Sequence, residues 1–162
     1  YRPQGTVTRE DIAELVTEAV PGSAWGMLDA VAARRVGEAA TLLDRLLAQA
    51  TPLPVLIAQL HRRLRELVVV REHLDAGTRP PDLVRALKVQ PYRAQKLAEQ
   101  ARAWDISELE GALAALLQVD LLSKGIAPDG SPRSLSEDRS RLALLAWVGE
   151  RVVRRAPVTV GR

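Results

Sequence analysis

In the apolar stretch Trp104 to Gly125, WDISELEGALAALLQVDLLSKG, a carboxylate stands where a leucine is expected. Leu109, Leu113, Leu116, Leu117 and Asp120 recur at three- and four-residue steps, and Lys124 follows Asp120 one helical turn later. Two kinds of chemistry suit that spacing. A carboxylate and an ammonium four residues apart form a local ion pair worth a few tenths of a kcal/mol. If they are partly buried, each charge must be matched, and the pair can fix a seam against an adjoining surface. A buried carboxylate can also serve as a general acid or base, but that needs a pocket and a second converging polar group, and the sequence offers none.

A second chemical cluster is His61-Arg62-Arg63-Leu64-Arg65. Cations this dense on a helix can neutralise phosphates or meet an acidic protein surface, although such clusters are more often just solvated. Trp25, Trp104 and Trp147 could stack on bases, but their apolar neighbours favour packing in a core or an interface. Tyr92, directly after Pro91, reads most simply as a contact at a helix cap.

Other chemistries lack their residues. There is no G-x-x-x-x-G-K-[ST] loop for phosphates, no H-E-x-x-H metal pair and no G-x-S-x-G nucleophile turn. His61 and His73 are isolated and Cys is absent, so neither a zinc site nor a disulfide framework is expected, and no cofactor is implied. The apolar runs fall far short of the roughly 20 residues a membrane span needs, and no signal-peptide pattern opens the chain, which points to the cytoplasm. The opening YRPQG carries no initiator Met and reads as the start of a fragment.

The elements that must position these residues are helical. Thr8 with Asp11 and Ile12 marks the start of a helix over about 6–20, with Val7 against Ile12 as a staple. After Pro21-Gly22, Ser23 caps a short helix whose Ala24, Met27, Leu28 and Val31 share a face. Val36, Ala39, Ala40, Leu43, Leu46, Leu47 and Ala50 form the cleanest amphipathic series. A long helix from about Pro54 to Ala76 turns Leu56, Leu60, Leu64, Leu67 and Leu74 inward and stops at Gly77. Pro80-Pro81 opens a helix to about Lys88, and Pro91 opens another through Trp104.

Ser107 with Glu110 suggests a capping box for the Asp120 helix, and Ser134 with Glu137 suggests one for a last helix that runs to about Arg154. That last helix would carry Leu135, Leu142, Leu145, Ala146 and Val152 inward. Val68-Val69-Val70 is too short to compete as a strand. The fold class is all-α, a bundle of about eight helices.

Charge is uneven along the chain. The net charge is +3, but residues 54–104 hold ten Lys or Arg against five Asp or Glu, whereas residues 105–150 hold four against eight. Two sides of opposite sign would suit a subunit that meets two different neighbours. Arg62 and Arg65 on the basic side, and Asp120 with Lys124 at a seam, are the candidate interface residues.

The order of the segments resembles a known family. Thr8, Asp11 and Ile12 match a T-x-E/D-D-[IV] helix start, and Trp25, Leu28, Asp29 and Ala30 match an aromatic followed by L-x-D-A. An A-x-x-L-L-x-x-L segment follows, then Arg63 or Arg65 with Leu67. Leu87, Val89, Pro91 and Tyr92 give L-x-V-x-P-[FY], and Asp120, Lys124 and Gly125 give D-x-x-x-K-G. Taken together over about residues 6–150, these resemble the C-terminal part of the delta subunit of bacterial DNA polymerase III, a component of the clamp loader. Trp25 departs from the family's frequent phenylalanine.

The resemblance implies that residues 1–22 end a middle (lid) domain, residues 23–155 form the helical collar that joins a ring of subunits, and residues 156–162 are a flexible tail. It further implies a non-catalytic assembly domain of a DNA-directed DNA polymerase holoenzyme, which takes part in loading the sliding clamp onto primed DNA. Its partners would be gamma/tau- and delta-prime-type subunits, with the clamp itself gripped by an N-terminal domain not present here. DNA contact would be indirect or weak. The competing reading is an independent helical nucleic-acid-binding protein.

Overall fold

The computed structural model describes residues 22–127, 129–132 and 135–153. They form seven helices and no strand, with a single isolated β-bridge between Ile126 and Pro132. The helices are α1 (Gly22–Ala32), α2 (Val36–Ala48), α3 (Leu53–Asp75), α4 (Pro80–Leu87), α5 (Pro91–Arg102), α6 (Ile106–Ser123) and α7 (Glu137–Arg151). The all-α expectation holds. The expected helix over 6–20, its Thr8 cap, and the tail at 156–162 lie outside the described residues.

Helix α3 organises the domain. Its 23 residues extend about 34 Å at 1.5 Å per residue, and it packs against α1, α5 and α6. Leu56, Leu60, Leu64 and Leu67 are fully buried along one stripe, as their spacing predicts. Prolines in the first turns of α3, α4 and α5 start these helices without losing a hydrogen bond, because the amide there has no helical acceptor. Gly77, at φ 83°, ends α3 in the left-handed conformation that a side chain disfavours. Around this axis α1 pairs with α2, α5 carries α4, and α7 bridges α6 and α2.

Two helices present faces different from those their sequences suggest. In α6 the buried residues are Leu109, Ala112, Leu116 and Val119, while Leu117 is exposed and Asp120 sits at the rim of the buried face. In α7 the buried residues are Ser140, Leu144, Trp147 and Val148, while Leu142 and Ala146 face solvent. Helix α6 is apolar on nearly every side, and the unbroken apolar run from Leu142 to Val148 winds right round the middle of α7, so periodicity alone does not select a face. Trp147 decides the matter for α7, because its indole N–H donates to the Ala112 carbonyl at 3.0 Å and pins α7 against α6.

Helix starts shift as well. Asp105, not Ser107, caps α6, in a capping box with Glu108; the Asp105 backbone N–H donates to Glu108 Oε2 at 3.1 Å. The D-x-x-E and S-x-x-E patterns overlap here, and the earlier one coincides with extended backbone at φ −89°, ψ 155°. Ser134 lies outside the described residues, and Ser136 caps α7, its hydroxyl accepting from the Arg139 N–H.

Candidate subunit interface

The two flanks of α3 hold most of the polar chemistry. On the flank toward α1 and α5, Arg63 is 7% exposed, and its Nη1 lies 3.3 Å from Asp29 Oδ1 and donates to Gln100 Oε1 at 3.2 Å. Asp29 accepts from the Lys96 ammonium and from Gln100 Nε2, the latter at 3.3 Å. Glu66 lies 3.8 Å from Arg63 Nε and 2.6 Å from Arg93. Three helices are therefore laced through one polar cluster.

The energetics of this cluster follow from burial and charge. Burial alone would raise the Asp29 pKa, but hydrogen bonds from Lys96 and Gln100 and the charge of Arg63 outweigh it and hold the carboxyl below its ordinary value. Burial also lowers the Arg63 pKa, against the pull of Asp29 and Glu66. A buried guanidinium is tolerated only with such partners.

The sequence carries a signal for this cluster. Arg63 interrupts the inward series of α3 just as Asp120 was expected to interrupt that of α6, and Asp29 belongs to the L-x-D-A match.

On the opposite flank, toward α6, lie His61, Arg65, Asp120 and Lys124. They line a cavity of about 370 Å³ together with Pro54, Ile57, Ala58 and Leu117. Lys124 Nζ donates to Asp120 Oδ2 at 2.6 Å, the local i,i+4 pair that the spacing allows. The His61 pKa is lowered by burial first and by the Arg65 charge second, with Asp120 opposing and Lys124 adding to the fall. Of the four expected interface residues, Arg65, Asp120 and Lys124 thus share one cavity. Arg62 lies apart, in a hollow with Trp25, Gln59, Arg63, Glu66 and Arg93. The two arginines singled out together in the sequence stand one turn apart on α3 and open onto two different hollows.

A further arginine went unnoticed in the sequence. Arg34, in the α1–α2 turn at φ 58°, makes a bidentate pair with Glu108 at 2.6 and 2.9 Å. It also donates to the Ala103 and Val153 carbonyls and lies 4.0 Å over the Trp104 ring. Trp104 in turn donates to the Ala32 carbonyl at 2.9 Å. Arg34 and Glu108 are 74 residues apart, beyond the reach of any local pattern.

The aromatic residues divide between interior and surface. Trp104 and Trp147 are buried with their N–H groups bonded, whereas Trp25 is 40% and Tyr92 77% exposed. Tyr92 is not packed at a cap. It shares a hollow with Trp25, Asp29, Arg63, Arg93 and Lys96.

This geometry defines a class: an all-helical domain with a closed core, one polar cluster that ties its helices together and, on the other flank of α3, an open charged cavity. A family model described as the DNA polymerase III delta subunit, C-terminal domain, matches residues 22–129, and the chain belongs to that family. Comparison with curated proteins and with solved structures returns no match. Among the described residues, no helix is long and apolar enough to cross a membrane.

Proposed function

We propose that this domain is a non-catalytic assembly element of the clamp loader, working in the cytoplasm within a DNA polymerase III holoenzyme during loading of the sliding clamp onto primed DNA. Its partners are loader subunits of the gamma/tau and delta-prime types, and it reaches the clamp only through an N-terminal domain elsewhere in a longer subunit. Arg62, Arg65, Asp120 and Lys124 are its candidate contacts. The observation that carries this reading is the family match over α1 to α6, the helices that build the core around α3. A closed core with charged side faces suits a ring subunit, which must offer a different surface to each neighbour.

Mixing the chain with purified gamma/tau- and delta-prime-type subunits and following elution on a sizing column tests it. Co-elution as one stoichiometric species is expected. Failure to associate at physiological salt, with tight and steeply salt-dependent binding to DNA instead, would establish the independent nucleic-acid-binding reading.

One observation favours some DNA contact alongside assembly: Trp25 and Tyr92 are exposed next to Arg62, Arg93 and Lys96. Aromatic faces beside cations suit unpaired bases and their phosphates. Asp29 and Glu66 already engage Lys96 and Arg93, so this contact is weak. Its measure is a loss of single-strand affinity in Tyr92→Ala with assembly unchanged.

A further inference from the structure

We infer that the cavity between α3 and α6 receives an amphipathic helix from a neighbouring loader subunit, one that sets an apolar side chain on Leu117 and Ala58 and a carboxylate against Arg65. This inference rests on the assembly reading above and adds to it the face used and the chemistry of what fills it.

The floor and rim of the cavity differ in character. Pro54, Ala58 and Leu117 supply apolar surface over the buried Ile57, and Leu117 is 46% exposed although it sits on a helix whose neighbours Leu116 and Val119 are buried. An exposed leucine alone means little, but one that floors a recess between two long helices is placed to be covered. Its position follows from the rotation of α6: with Leu109, Ala112, Leu116 and Val119 turned to the core, Leu117 is left at the edge of the α3–α6 seam.

Charge then selects the occupant. The rim holds Arg65, Lys124 and His61 around a single carboxylate, Asp120, which Lys124 already neutralises at 2.6 Å. Among the described residues, Arg65 has no ion-pair partner. On the other flank of α3, Arg63, Arg93 and Lys96 are all paired with Asp29 or Glu66, and the exposed Arg62, also without an ion pair among the described residues, has no uncovered leucine beside it, since Leu28 in its hollow is fully buried. The unmatched guanidinium beside an uncovered leucine calls for a partner surface with an apolar residue and a carboxylate about one helical turn apart. An amphipathic helix laid in a groove provides that spacing. Single-stranded nucleic acid does not fit this cavity, because its apolar floor offers no aromatic ring on which a base would stack.

The test uses the whole chain with the gamma/tau- and delta-prime-type subunits, and it titrates assembly for wild type, Arg65→Glu, Leu117→Asp and, as a control at an exposed position on α4, Arg85→Glu. Both 65 and 117 are at the surface, so circular dichroism melts are expected to match wild type. Arg65→Glu and Leu117→Asp should each weaken assembly about tenfold or more, the first less so as salt rises, while Arg85→Glu leaves it unchanged. Wild-type affinity in both cavity variants would overturn the inference and leave the assembly reading intact. Failure of the wild-type chain to bind any loader subunit would remove both. A wild-type dimer in light scattering that Leu117→Asp dissolves would replace the neighbouring subunit by a second copy of this chain and so overturn the stated occupant.

Discussion

The two sides of α3 solve the problem of charge on a core helix in opposite ways. Toward α1 and α5, Arg63 is buried and shares Asp29 and Glu66 with Lys96 and Arg93, so the charges that join these helices are all paired within the domain, and the exposed Arg62 beside them takes no part in the network. Toward α6, the ion pair is local to one helix, the histidine stays below its ordinary pKa, and Arg65 is left without a counterion among the described residues. The first side fixes how three helices sit together. The charges of the second add little to the packing of α3 on α6, and Arg65 is left available to something outside the domain.

If that contrast is right, stability should respond very unequally to changes on the two sides. The largest effect is expected from Arg63→Ala, which strands Asp29 and removes the bond to Gln100. Chemical denaturation should show a loss of about 3 kcal/mol, in the range for breaking a buried pair from one side. A loss under about 0.5 kcal/mol, the usual value of a surface pair, would erase the distinction between the flanks.

Asp29→Asn sharpens it through pH. Because the folded carboxyl has a pKa below 3.8, its stabilising contribution is present above that value and disappears as pH falls through the folded pKa. At neutral pH the variant should be about 1–2 kcal/mol less stable than wild type. Acidification should close that gap, and a gap that stays constant from neutral to strongly acidic pH would show that the charge of Asp29 is not what holds the helices.

The smallest effect belongs to Asp120→Asn. Loss of the i,i+4 pair should cost roughly 0.3–0.5 kcal/mol in thermal or urea unfolding. A drop comparable to that of Arg63→Ala would mean that Asp120 stabilises the interior after all.

How much of this was legible in the sequence depended on contrast within each helix. The face of α3 was readable because Leu56, Leu60, Leu64 and Leu67 stand among Arg, Glu and Gln, so only one rotation buries the apolar residues. The face of α6 was not, because Leu113, Leu117 and Leu121 make it apolar on other sides too, and packing against α3 and α7 chose Leu109, Ala112, Leu116 and Val119. The chemistry at Asp120 and Lys124 was legible as a local pair because both lie on one helix. The Arg63 cluster and the Arg34–Glu108 pair were not, since each joins residues from separate helices or turns. The family resemblance reached further than periodicity here: the L-x-D-A match included Asp29, although nothing local stated what it would bind.

Helix α7 lies beyond residue 129, where the family match stops, yet it is sewn to what precedes it through the Trp147 indole and, just past its end, the Val153 carbonyl held by Arg34. An expression clone trimmed to the matched boundary would therefore strip the lid from Ala112 and uncap the guanidinium's carbonyl ligand. It would yield a sticky, aggregation-prone product instead of a shorter soluble one.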